Sequence, residues 1–131
     1  MLAPTDPREA YRRSAFDARI HGGDTAALVR LCLEQTIAGL GGALLAHERN
    51  EPGLRSQGLT RTLTAITALD MGVDRDAPLA KALLQVYGAA RQTVLDSVLD
   101  FQPERLQAVR GDFVEIDAAL RKAEQPGNRS G

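Results

Sequence analysis

The chain carries one cysteine, no tryptophan, three phenylalanines and two tyrosines in 131 residues. A single cysteine excludes an internal disulfide framework and any multi-thiolate metal site, and it fits a reducing compartment. An excess of one charge sign is also missing. Sixteen Lys and Arg face seventeen Asp and Glu, for a net charge of −1. Bulk charge therefore gives no grip on nucleic acid or an anionic membrane. Long apolar runs are absent too: the longest uncharged one, Gln35 to Ala46, has 12 residues, against the ~20 that a spanning helix needs. Near the N-terminus Asp6, Arg8 and Glu9 stand where a signal peptide would be apolar. These absences lead to the expectation of a cytoplasmic protein, with no nucleic-acid partner and no stable membrane insertion.

What is present points to helices. There are 20 Ala and 18 Leu against 7 Val and 4 Ile. Ala and Leu favour helix, whereas β-branched and aromatic residues favour strands. No segment alternates apolar and polar residues over strand length. Residues 1–8 read as a loose tail, 9–123 as one helical domain, and 124–131 as a disordered tail. A short helix is expected over Glu9–Ile20, ended by Gly22-Gly23. Asp24 would cap a long second helix to about Arg49, whose apolar stripe from Leu28 to Leu45 is too wide for packing on one side only.

A turn is expected at Asn50–Gly53, with Ser56 capping a third helix over 57–71 on which Leu59, Leu63, Ile66 and Leu69 share a face. That helix reads as shorter than its neighbours. Pro78 would sit in the first turn of a fourth helix, with Leu79, Leu83, Val86 or Tyr87, Ala90, Val94 and Val98 on one side. Pro103 opens a fifth, in which Leu106, Val109, Phe113, Ile116 and Leu120 advance by 3, 4, 3 and 4. The expected fold is all-α, an antiparallel up-down bundle of four long helices plus a short N-terminal one.

Sequence gives chemistry little to work with. His21 and His47 are 26 positions apart, no Glu-x-x-His occurs, and Cys32 lies on an apolar face. Diiron, zinc-protease and nucleophile patterns are therefore missing, and neither an enzyme nor a cofactor or metal is expected. The Asp70, Asp74, Asp76 cluster lacks the calcium-loop glycine and glutamate, and reads as helix-capping. Gly39-Leu40-Gly41-Gly42 has no preceding strand to make a phosphate loop. In a helix those glycines suit either close packing of a second helix or a shallow groove for a partner.

The order of the segments resembles the flagellar secretion chaperone FliS family over about residues 10–122. Ala10-Tyr11 is similar to the family's N-terminal Ala-Tyr, and Ala27 to Glu34 (ALVRLCLE) to its Glu-Leu-x-x-Met-Leu-Tyr-Asp segment. Ala65 to Asp70 (AITALD) resembles its Ile-x-x-Leu-x-x-Leu-Asp helix end, and Leu79 to Tyr87 (LAKALLQVY) its Leu-x-x-Leu-Tyr helix. Leu33 replaces the motif's tyrosine, Asp24-Thr25 its Ser-Pro cap, and no Trp closes the last helix. The resemblance implies an export chaperone that binds the C-terminal segment of flagellin, prevents premature polymerisation and aids delivery to the flagellar export gate. Tyr11, Leu28, Leu31, Leu59, Leu63 and Ile66 are the contacts it implies. A helical-bundle homodimer or adaptor without a flagellin client is the alternative.

Overall fold

The computed structural model describes residues 25–124. They form four helices, α1 (Thr25–Glu48), α2 (Pro52–Met71), α3 (Ala80–Leu99) and α4 (Pro103–Glu124), and no strand occurs among the described residues. The all-helical expectation is met over this stretch. The two tails, the helix expected over 9–20, its Tyr11, His21 and the Asp24 cap lie outside the described residues.

Local chemistry explains the ends of α1 and α2. Asn50 takes φ 56°, a left-handed conformation that asparagine tolerates better than most residues. The Glu51 N–H then donates to Ala46 O at 2.9 Å, and the Asn50 N–H to His47 O at 3.2 Å. This pair of bonds closes α1 by satisfying carbonyls that have no partner further along the helix. Pro52 follows directly as the first residue of α2, where its missing N–H costs nothing. The expected turn over Asn50–Gly53 is therefore shorter than the sequence suggests. Ser56 is an exposed residue within α2 and not its cap. With 20 residues α2 matches α3 in length, so it is not the short helix expected.

Between α2 and α3 the Asp74 carboxylate accepts from the Asp76 N–H at 3.0 Å, so this acidic residue stabilises its own turn. Pro78 lies just before α3, which begins at Ala80. On α3 it is Tyr87 that turns inward with Ala90 and Val94. Leu79 and Val98, expected on the same face, are 69% and 56% exposed.

Each helix packs against its neighbours in the chain, and α4 returns to α1. The α1–α2 contact is the most extensive, and the α3–α4 contact the sparsest. Glycine sets the first. A Cβ on Gly58 would lie 2.7 Å from Gly39 O and 2.8 Å from Ala43 N, and one on Gly39 would lie 2.9 Å from Gly58 O. Gly39 also faces Thr62, so positions rise on one helix as they fall on the other, and the pair is antiparallel. On the other side of α1, Arg110 lies over Gly41 and Arg121 donates to the Glu34 carboxylate. The wide apolar stripe of α1 thus serves two neighbours.

The core joins Leu33, Leu40, Ile66, Val94, Leu106 and Phe113, all fully buried. Tyr87 stacks on Phe113 with centroids 6.0 Å apart. Thr36 and Thr62 are buried without penalty because each hydroxyl donates to the carbonyl four residues back, at 2.8 Å. By length and composition α1 is also apolar enough to cross a membrane, with a mean hydropathy of 1.3. Core helices of soluble proteins meet the same criterion. Here α1 carries Arg30 and Glu34 and is flanked by α2 and α4.

Candidate partner-binding site

The sparse α3–α4 contact has a consequence at the surface. Along α3, Ala82, Val86 and Ala89 follow one another at three- and four-residue spacing, which puts them on one side of the helix. Opposite them, α4 presents Val109, with the buried ring of Phe113 beneath. Two of the three α3 residues are alanines, whose short side chains leave space between the helices there. An apolar groove of about 420 Å³ opens between them, with Gln85 and Asp112 among its polar members. Val86, 37% exposed, forms its lip. Apolar surface held open by small residues, with a few polar groups at its margin, is what an amphipathic helix or extended segment needs as a seat.

A second groove, of about 400 Å³, runs along the outside of the α1–α2 crossing. Gly42, Leu45, Arg49, Leu54 and Arg61 are among the residues that line it. Here the two readings of the glycine run separate residue by residue. Gly39 serves close packing, Gly41 gives room to Arg110, and a Cβ on Gly42 would meet nothing within 4 Å.

A third depression, about 370 Å³, is more polar and lies between α2 and α3, where Asp70, Tyr87 and Arg91 meet. Burial holds the Tyr87 phenol above its ordinary titration range, with smaller contributions in the same direction from Cys32 and Asp70.

The residues implied by the family resemblance divide by burial. Leu31 is 50% exposed, while Leu28 and Leu63 are half-buried. Leu59 and Ile66 are sealed in the core and offer a partner no surface. Leu28 and Leu31 lie in the first two turns of α1, and the antiparallel register brings them level with the C-terminal end of α2. The α3–α4 groove was not singled out from the sequence. Its only signal there is the Ala82, Val86, Ala89 series, which also suits a packed helix.

His47 belongs to neither groove. Its ring stacks on Phe101 at 4.3 Å, its Nδ1 accepts from Arg55 Nη1 at 3.1 Å, and the Arg55 guanidinium lies 5.3 Å from the Phe101 centroid. The cluster ties the α1–α2 turn to the α3–α4 connection. Cys32 is half-buried against the core. Among the described residues no group of three or more His, Cys, Asp or Glu side chains is placed to hold a metal ion. No protein-family model matches the chain, and no curated protein sequence matches it.

Proposed function

We propose that this chain is a cytoplasmic export chaperone that holds the C-terminal segment of flagellin, keeps it from polymerising early, and helps deliver it to the flagellar export apparatus. The architecture that goes with this reading is an antiparallel up-down bundle of four long helices with a short fifth at the N-terminus. The observation that carries it is the open apolar groove between α3 and α4, which suits an apolar segment that becomes helical on contact. Ordering such a client costs about 2–5 kcal/mol, and that cost keeps the complex releasable, as delivery requires. The resemblance of the segment order to the export chaperones supplies the identity of the client. Tyr11, Leu28, Leu31 and Leu63 remain in the proposal as further contacts, while buried Leu59 and Ile66 support the bundle itself.

Titration calorimetry with a flagellin C-terminal peptide from the same cell tests the reading. Binding is expected, with the peptide gaining helical signal. Val86→Glu, at an exposed lip, changes stability within about 0.5 kcal/mol yet places a charge in the groove and abolishes the heat. Tyr11→Ala weakens binding with the melting temperature nearly unchanged. No heat from well-folded wild-type protein, at peptide concentrations of about 50 μM where a micromolar complex would be saturated, overturns the assignment.

A further inference from the structure

We infer that the outward stripe of α1 is a docking surface for a second copy of this chain, in which two α1 helices meet antiparallel about a two-fold axis. Leu31, Glu34, Ala38, Gly42, Leu45 and Arg49 are all exposed and recur at three-, four- or seven-residue spacing, so they form one continuous stripe. Leu31 and Leu45 are 50% and 46% exposed at its two ends. Between Glu34 and Arg49 the stripe carries no charge except Glu48, which is unlike an ordinary solvated helix face. Gly42 sharpens the point. Glycine is among the poorest helix formers, and none of the described residues packs within 4 Å of where its Cβ would be. Close approach of another backbone supplies the missing reason.

Charge selects the occupant and its direction. Glu34 lies four residues before Ala38, and Arg49 four residues after Leu45. When a second α1 is laid antiparallel so that its Leu45 covers Ala38, its Arg49 therefore falls opposite Glu34. The two-fold axis repeats both pairs and passes beside Gly41 and Gly42, where the helices must come nearest. A parallel pairing would set Glu34 on Glu34 and Arg49 on Arg49. Glu34, already paired with Arg121 through Oε2, would add Arg49 of the second copy as another partner. Arg49 has no side-chain partner among the described residues. An interface that presents the same patch on both copies closes as a dimer and goes no further. The stripe shares Leu31 with the proposed client contacts, but Gly42, Leu45 and Arg49 belong to the stripe alone and Val86 to the α3–α4 groove alone, so variants at these positions test dimerisation and client binding separately.

Sedimentation equilibrium of the full chain decides. The expected mass is twice the 14.1 kDa of one chain. Gly42→Leu fills the close approach without touching the packing of the described residues, and it should give a monomer with unchanged circular dichroism. Glu34→Arg and Arg49→Glu should each weaken the dimer at least about tenfold, equivalent to ~1.4 kcal/mol, and the double reversal should restore it. Wild-type protein that stays monomeric at about 100 μM, where a micromolar interface would be filled, overturns the inference. So does a dimer indifferent to Gly42→Leu and to the charge reversals. Protection of the α1 stripe by flagellin peptide in a monomeric protein would assign the stripe to the client instead, and would overturn it too.

Discussion

Gly58 and Gly88 are both helix-interior glycines, and intrinsic propensity treats them alike. Their surroundings do not. A Cβ at Gly58 would press on the α1 backbone at under 3 Å, whereas at Gly88 it would meet nothing within 4 Å. Gly58→Ala should therefore destabilise by about 1–3 kcal/mol through overpacking, while Gly88→Ala should stabilise by about 0.5–1 kcal/mol through helix propensity. Urea denaturation of the two variants checks both signs, and a shared sign would sink the account of the α1–α2 crossing. Tyr87 gives a second residue-scale expectation. Its folded-state pKa is raised above the ordinary 10.0 of a tyrosine, chiefly by burial. The folded state therefore keeps a proton that the unfolded chain loses, so stability is full below pH 10 and falls as the pH rises from there through the folded value. In a Tyr11→Phe background the tyrosinate absorbance reports Tyr87 alone. It should appear above the ordinary range, and together with loss of helical signal.

At the scale of elements, α4 was legible in full: the 3, 4, 3, 4 series names its inward residues, with Leu106 and Phe113 completely buried. Periodicity suffices there because Pro103 fixes the start and one face meets the core. The α1–α2 turn was less legible, since its geometry depends on Asn50 adopting a left-handed conformation, and several residues in Asn-Glu-Pro-Gly are equally suited to a turn. The candidate site was the least legible of all. Leu59 and Ile66 have the spacing of a binding face, but that spacing is also the spacing of a core. A groove depends on the distance between two helices, which no single helix encodes.

The sparse α3–α4 contact carries its own prediction, because local opening follows the number of buried contacts that must break. Amides of α3 and α4 should exchange faster than those at the α1–α2 crossing in native-state hydrogen exchange. The same end of the fold is held by Phe101 against the hydrogen-bonded His47–Arg55 pair. Phe101→Ala should cost about 0.5–1.5 kcal/mol beyond its area burial and should speed α3–α4 exchange more than α1–α2 exchange. Uniform acceleration across all four helices would mean that the cluster does not pin this particular end.

For the whole molecule, stability and client binding are linked through the groove. A domain of this size has on the order of 5–15 kcal/mol in hand, and Phe113, the largest fully buried side chain, borders the α3–α4 groove. A ligand that binds only the folded state adds RT ln(1 + [L]/Kd), about 2.7 kcal/mol at a hundredfold excess over Kd. At that excess flagellin C-terminal peptide should therefore raise the melting temperature of the wild type by about 5–20 °C, since each 1 kcal/mol is worth about 2–8 °C for a domain in this size range. Val86→Glu should melt close to the wild type without peptide and show no rise with it. Phe113→Leu separates the two roles of the site. It keeps an apolar side chain in the core but removes the ring that stacks on Tyr87, so it should melt lower yet show the same rise with peptide as the wild type. A wild type whose melting temperature ignores the peptide, or a Val86→Glu variant that gains as much as the wild type, would show that the α3–α4 groove is not where a client binds.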